Sequence, residues 1–139
     1  ACATPLMLVL LQRPRCRSMH VTIQKEVADR LLASPSTPAY GSISVVAQVA
    51  SDVRRVATLP PECFWPRPEV TSAMVALRAR ETDVDLRGLA AFCQDLFSKR
   101  RKQLGSVLGR DVAWPEGIDP TDRAERLDVA SIVALFQAI

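Results

Sequence analysis

The alternation of apolar and polar residues predicts an α/β part followed by an all-helical part. Bulky side chains at every second position predict a β-strand over Ser18 to Ile23. Two further strands are predicted over Val53 to Leu59 and over Val70 to Arg80, on either side of a proline-rich loop. Strands interleaved with helices indicate the α/β class, here with about three strands.

Helical periodicity accounts for most of the remaining chain. Thr4 and Pro5 form a typical helix start, as N-cap and first helical residue, for an apolar run that ends at Leu11. This run is too short to span a bilayer, so we expect a buried helix. Further helices are predicted over Gln24 to Leu32, Tyr40 to Ala50 and Arg101 to Leu108. Asp85 is the predicted cap of a helix that runs to Phe97, and Asp128 is the predicted cap of the last helix. A short helical turn is predicted over Thr121 to Glu125.

The polar segment from Arg80 to Asp85 predicts a domain boundary. All three predicted strands precede it, and only helices follow it. We therefore expect one domain over residues 1–80 and a second, helical domain over residues 81–139.

Composition is typical of a globular protein. The 139 residues are 48% hydrophobic and 24% charged, which is not the composition of a disordered chain. Cys2, Cys16, Cys63 and Cys93 form no Cys-x-x-Cys pair, which argues against a zinc site and against a disulfide framework, and favours the reducing cytoplasm. The carboxylates form no pair that indicates hydrolysis or metal binding, so we expect no metal.

A stiff aromatic loop precedes the last predicted strand. It carries Phe64 and Trp65 beside Pro66 and Pro68, in a chain with four Phe, two Trp and one Tyr. Each proline fixes its own φ and pushes the residue before it toward extended geometry. The two aromatics either stack on a flat ligand or cap the core where the sheet ends, and the residues alone leave both interpretations open.

Positive charge is densest at Lys99, Arg100, Arg101 and Lys102, between two predicted helices. RNA phosphates would neutralise these adjacent cations through counterion release. A solvated helix end whose cations complement the helix dipole explains them equally well. Lys25 follows a predicted strand and opens a helix, a position near the ligand-binding edge of α/β sheets, where it can contact phosphate.

The loop pattern Phe-x-Pro-x-Pro-x-Val-x-Ser-x-x-Val resembles the loop before the last strand of ribosomal RNA adenine N6-methyltransferases. The small-subunit dimethyladenosine transferases are the most similar group. The erythromycin-resistance type, which modifies large-subunit RNA, is less similar in its helical tail. Four more segments resemble the family in the right order, so that nearly the whole chain is covered: Thr4–Leu6, Gln24–Arg30, Tyr40–Ser44 and Phe97–Leu104.

The resemblance implies a remnant of a Rossmann-like methyltransferase sheet, its final strand inserted antiparallel, followed by a small helical domain. Residues 1–80 would be the carboxy-terminal part of the catalytic domain, and residues 81–139 would help to grip RNA. The implied partners are small-subunit ribosomal RNA and the pre-ribosomal particle, with no membrane. The implied base pocket contains Phe64 and Pro66, and the implied RNA contacts are Lys25, Arg67, Lys99, Arg100, Arg101 and Lys102.

The motifs that bind S-adenosylmethionine and carry catalysis in such enzymes do not occur in the sequence. The five glycines include no Gly-x-Gly pair, and there is no Asn-Leu-Pro-Tyr-type motif. Ala1 to Pro5 resembles the segment that follows that motif. We therefore expect a carboxy-terminal fragment without catalytic or cofactor-binding residues, inactive alone, whose parent enzyme uses S-adenosylmethionine. The alternative is a stand-alone, non-catalytic RNA-binding or ribosome-associated module.

Truncation would leave the strand over Ser18 to Ile23 without a neighbour on one side. A bare sheet edge invites pairing with another chain. We therefore expect either self-association through this edge or a helix that rearranges to cover it.

Overall fold

The computed structural model describes residues 3–139, so predictions that concern Ala1 and Cys2 lie outside it. As the resemblance implied, the described chain is α/β, with helices around one three-stranded sheet. The helices are α1 (Ala3–Leu11), α2 (Lys25–Leu31), α3 (Ser42–Ala50), α4 (Leu86–Ser98), α5 (Leu104–Leu108) and α6 (Val129–Gln137); the strands are β1 (Ser18–Gln24), β2 (Ser51–Leu59) and β3 (Ser72–Ala79); 3-10 turns lie at Pro61–Cys63 and Ala124–Arg126.

The chain forms two compact units. The first takes in the described residues up to Leu32 together with Ala47–Asp83. The second combines Ala33–Val46 with Val84–Ile139. The functional division into a catalytic part and an RNA-binding domain stays a prediction.

Strand β3 lies in the middle of the first unit's sheet. The order is β1-β3-β2, and β3 is antiparallel to both neighbours. The final strand is therefore inserted antiparallel, as the resemblance implied. Because successive side chains of a strand point to opposite faces, Ala73, Val75 and Leu77 share one face, and all three are buried. Helix α2 packs on the sheet and buries Ala28 and Leu31.

A buried tyrosine organises the second unit. The Tyr40 hydroxyl donates to the Leu127 carbonyl oxygen at 2.8 Å, and its ring meets Phe97 edge-on at 5.6 Å. Burial raises the pKa of Tyr40, which keeps the hydroxyl protonated as a donor. Burial also raises the pKa of the Cys93 thiol to about 12, so that this side chain packs as a neutral group.

Two predicted helix starts were wrong in the second unit. Helix α3 begins at Ser42 rather than at Tyr40, since the Gly41 amide donates to the Ser44 hydroxyl at 3.1 Å. Helix α5 begins at Leu104 rather than at Arg101, because the preceding residues form a turn and the Leu104 amide donates to the Asp122 carbonyl at 2.8 Å.

Other helix ends also differ from the predictions. Thr4 lies inside α1, which already includes Ala3, so it is not the N-cap. The expectation that this helix is buried was also wrong: α1 buries Met7 and Leu11, but its other large apolar side chains include exposed ones, Leu6, Val9 and Leu10. The predicted turn at Thr121 to Glu125 forms at Ala124–Arg126, because Asp119 instead accepts hydrogen bonds from the Thr121 amide and hydroxyl at 2.8 and 2.7 Å. None of the helices between residues 3 and 139 combines the length and the apolar character that crossing a bilayer would require.

Asp128 caps α6 as predicted, because its carboxylate accepts from the Ser131 amide at 2.8 Å. Asp85 occupies the corresponding position before α4, but its side chain makes no cap hydrogen bond.

Asp128→Ala is expected to lower the free energy of unfolding by about 1 kcal/mol, since the helix loses a capping acceptor. Asp85→Ala is the matched control and should change the urea midpoint little; equal losses would contradict the assignment.

The same cap is pH-dependent. The hydrogen bonds from Ser131 hold the pKa of Asp128 below its usual range. Because the folded-state pKa lies below the unfolded value of about 3.9, the stabilisation is complete above that value and is lost as the pH falls through the folded-state pKa. The stability difference between the parent chain and Asp128→Ala should therefore shrink in acid.

Candidate base-binding cavity and basic groove

The aromatic loop connects the end of β2 at Leu59 to the start of β3 at Ser72. Its first part, Pro61–Cys63, forms one 3-10 turn, closed by a hydrogen bond of 3.2 Å from the Phe64 amide to the Pro61 carbonyl. The backbone of Phe64 is extended, and the peptide bond between Trp65 and Pro66 is cis. The loop is thus a series of locally constrained residues rather than a flexible connection.

A cavity of about 490 Å³ opens in the first unit between this loop and the end of β1. Its volume lies within the range of about 300–1,000 Å³ that is usual for small-ligand sites. Phe64 and Pro66, the two predicted base-pocket residues, both line it. The polar side chains of Thr22, Gln24 and Ser72 line it as well, so a flat ligand would meet an aromatic wall and hydrogen-bonding groups.

The two aromatic residues of the loop differ in exposure. Phe64 is half-buried, whereas Trp65 is 95% exposed. Trp65 therefore does not cap the core, one of the two interpretations that the residues left open. Phe64 has the partly covered surface expected of a cavity wall.

Both cations predicted to bind RNA in this unit have carboxylate partners. Lys25 pairs with Asp29 at 2.7 Å, and Arg55 donates to the same carboxylate. These two cations hold the pKa of Asp29 below its usual range, Lys25 having the larger effect. Arg67 pairs with Glu62. Exposed ion pairs are worth about 0–1 kcal/mol, so neither pair prevents its cation from contacting a phosphate.

The basic cluster of Lys99 to Lys102 lies in the turn between α4 and α5, and its members are not equivalent. The Arg100 guanidinium donates twice to one Glu125 oxygen, at 3.0 and 2.9 Å, and once to the Pro38 carbonyl at 3.3 Å. Arg100 thus crosslinks three segments of the second unit. Lys99 pairs with Asp95 on the preceding turn of α4 at 3.3 Å.

Arg101 and Lys102 are exposed, and within residues 3–139 neither makes an ion pair. Arg101 lines a groove of about 810 Å³, which also receives Arg123 and Arg126. We call this the basic groove. Its remaining lining consists of Ser36, Thr37, Pro38, Arg100 and Glu125.

Arg123 and Arg126 were not among the predicted RNA contacts. They stand singly in the sequence, separated by Ala124 and Glu125, so no run of charge marks them. The sequence feature that could have indicated them is the pair of arginines on either side of Glu125. The fold brings them to Arg101 because the backbone before α5 pairs with this segment: Gln103 bridges to Arg123.

Residues 1–139 match the family described as ribosomal RNA adenine dimethylase. The chain belongs to this family. The resemblance carried by the aromatic loop is therefore confirmed. Over 117 residues the chain is 39% identical to a "Ribosomal RNA small subunit methyltransferase A" from Thermotoga maritima, covering 84% of this chain and 42% of that protein. The relative of the same name from Erwinia tasmaniensis is 40% identical over 142 residues, covering 96% and 52%.

Solved structures share the family's fold. A dimethyladenosine transferase from Plasmodium falciparum superposes with a TM-score of 0.82 at 20% identity, covering 96% of this chain and 61% of that one. The 23S rRNA methyltransferase ErmE superposes with a TM-score of 0.67 at 18% identity, covering 98% and 60%. The chain spans about half the length of the curated relatives it matches.

Within residues 3–139, no group of three or more His, Cys, Asp or Glu side chains is arranged to hold a metal ion. The residues that line the cavity include no glycine.

Proposed function

We propose that this chain is the carboxy-terminal portion of an S-adenosylmethionine-dependent rRNA adenine N6,N6-dimethyltransferase of the cytoplasm. The parent enzyme would act on small-subunit rRNA in pre-ribosomal particles. The observation that carries the proposal is the family match over the whole chain, combined with coverage of only about half of each relative. The shared name of the curated relatives favours the small-subunit substrate.

In this proposal the cavity receives the target adenine. A base that leaves its stack is separated from its neighbours, and an aromatic face can replace the stacking partner. The half-buried ring of Phe64 supplies the face, and Pro66 lines the same cavity. The chain's own contribution in this proposal is positioning, since its sequence has neither the glycine-rich loop nor the Asn-Leu-Pro-Tyr-type motif that the resemblance assigns to the methyl donor and to catalysis.

The chain alone is expected to bind no S-adenosylmethionine and to methylate no RNA, because it lacks the glycine-rich loop and the Asn-Leu-Pro-Tyr-type motif. Calorimetric titration of the chain with S-adenosylmethionine should give only heats of dilution. Saturable binding with one site per chain would contradict the proposal.

The second candidate is a stand-alone RNA-binding or ribosome-associated module without catalysis. The basic groove favours it, because this feature needs no cofactor. The native gene separates the two candidates. A glycine-rich loop and an Asn-Leu-Pro-Tyr-type motif encoded upstream of Ala1 would support the methyltransferase, and the absence of both would support the module.

RNA binding by the second unit would depend on its unpaired cations. Arg101 and Lys102 are exposed, while Arg100 and Lys99 are held by Glu125 and Asp95. Arg101 also shares its groove with Arg123 and Arg126, so several guanidinium groups face one volume. Arginine in such a cluster suits bidentate contact with phosphate oxygens.

Replacing Arg101 and Lys102 with Ala together should weaken binding to small-subunit rRNA and flatten its salt dependence. The slope of log K against log salt should fall by about 0.7–0.9 for each phosphate that the variant no longer neutralises. Filter binding over a salt series measures this slope. Arg100 is kept, since its removal would leave Glu125 without its partner and confound the result.

The matched control replaces Arg13 and Arg15 with Ala, which removes the same charge from exposed positions after α1. This control should leave the slope nearly unchanged. Equal slopes for the parent chain and the Arg101 and Lys102 variant would contradict the assignment, and an equal decrease in the control would show that only net charge matters.

The proposal extends to self-association through β1. Both β1 and β2 are edge strands of the described sheet, but only β2 has the usual protection. Strand β2 carries Asp52, Arg54 and Arg55 and a register shift between Arg55 and Ala57, whereas β1 has no Lys, Arg, Asp, Glu or Pro. The β1 edge is therefore the surface on which a second copy can pair.

The chain is expected to dimerise with rising concentration in sedimentation velocity. Thr22→Lys, at an exposed position of β1, should weaken dimerisation, because a charge on the edge opposes strand pairing. Thr58→Lys, at an exposed position of β2, is the control and should have little effect. A monomer at all concentrations, or equal effects of the two variants, would contradict pairing through β1.

A further inference from the structure

Trp65 is the most exposed of the large apolar side chains between residues 3 and 139. It is 95% exposed although it also lines the cavity, so it stands at the mouth rather than in the interior. Tryptophan normally covers most of its large ring in a core or an interface. The proposed adenine site does not use this ring, because Phe64 already supplies the wall.

The two aromatic side chains differ in their surroundings. Phe64 is half-buried and lines the cavity, whereas Trp65 lies at its mouth and is almost fully exposed. Phe64 and Trp65 therefore present two separate aromatic faces, one in the cavity wall and one in solvent at its edge.

The loop also limits the motion of Trp65. Pro66 follows it directly and restricts the backbone of Trp65. Phe64 before it is fixed by the hydrogen bond to the Pro61 carbonyl, and Arg67 after it is paired with Glu62. The backbone of such a segment loses little conformational entropy when a ligand binds to the ring that it carries.

The surroundings of Trp65 identify the kind of ligand. Glu62, Arg67 and Glu69 on the same loop are charged and exposed, and Val70 is the one other large apolar side chain of the loop that is exposed. A single large π-face among charged residues suits a planar group that is polar at its rim. A nucleobase has this chemistry.

We propose that Trp65 stacks on the nucleobase next to the target adenosine in single-stranded RNA. The inference rests on the proposed function, in which Phe64 and the cavity hold the adenine itself. Once one base enters the cavity, the adjoining nucleotide remains at its mouth, where Trp65 lies. Phe64 then acts on the modified base and Trp65 on its neighbour, so that Trp65 is a substrate-positioning residue.

The chain offers a direct fluorescence test, since its only other tryptophan is Trp114. Trp114→Phe leaves Trp65 as the single indole, and the indole nitrogen of Trp114 is buried, away from solvent. Titration with a short single-stranded RNA that contains a central adenosine should quench Trp65 in a saturable manner. The same RNA with abasic neighbours should quench less and bind about 5- to 100-fold more weakly.

Anisotropy with a labelled RNA gives a second measurement that needs no change at Trp114. Trp65→Ala should weaken binding to the same extent as the abasic neighbours, and Trp65→Phe, which keeps an aromatic face, should restore most of the affinity. Trp65→Ala should have no further effect on RNA that already lacks the neighbouring bases.

The outcomes separate this proposal from the proposed function. A third RNA is abasic only at the central position. Binding that is weakened by abasic neighbours but not by this central abasic site supports stacking on Trp65 and overturns the adenine cavity. Binding that is weakened only by loss of the central adenine overturns stacking on Trp65 and supports the adenine cavity. Absence of saturable quenching, or a Trp65→Ala variant that binds each RNA as tightly as the parent chain, overturns stacking on RNA.

Discussion

The hydrogen bonding of β3 to strands on both sides is the constraint on which the first unit depends. Its register places Ser72 opposite Gln24 on one side and opposite Leu59 on the other. The residues before Ser72 must therefore leave the sheet where β1 ends, and the Lys25 amide donates to the Thr71 carbonyl at 2.9 Å at that point. The position of the cavity follows from strand pairing before any ligand is considered.

The second unit depends on polar contacts between segments that are distant in sequence. Tyr40 reaches Leu127, and Arg100 reaches both Pro38 and Glu125. A buried or half-buried donor without its acceptor would incur a desolvation penalty, so these contacts fix which segments lie together. The basic groove is a product of this arrangement, because the contacts that hold Arg100 lie beside the volume that Arg101 lines.

The strands and the long helices could be predicted because their burial follows a local period. The alternation around Val21 and the stripe that includes Leu89 and Cys93 mark elements that the structure contains. The start of α5 could not be predicted in the same way, because the pairing of Gln103 with Arg123 overrides local helix preference. The charge run likewise did not show that Arg100 has a carboxylate partner, since Glu125 is 25 residues away.

Within the site, proline and aromatic content was sufficient to single out the loop of Phe64 to Pro68. The family resemblance then gave each residue an expected role. The difference in exposure between Phe64 and Trp65 depends on the fold around the loop, and the sequence does not distinguish two adjacent aromatic residues. The roles of Arg123 and Arg126 likewise depend on the fold, because a groove assembled from separate segments leaves no contiguous motif.

The division of the chain has a consequence for dissecting it. The chain passes from one unit to the other after Leu32, after Val46 and after Asp83. A single cut after Asp83 would separate α4 to α6 from Tyr40 and would strip the Leu127 carbonyl of its donor. The helical unit is therefore not a terminal module that can be removed as one piece: its smallest complete form includes residues 33–46, which lie upstream of two of the sheet's strands.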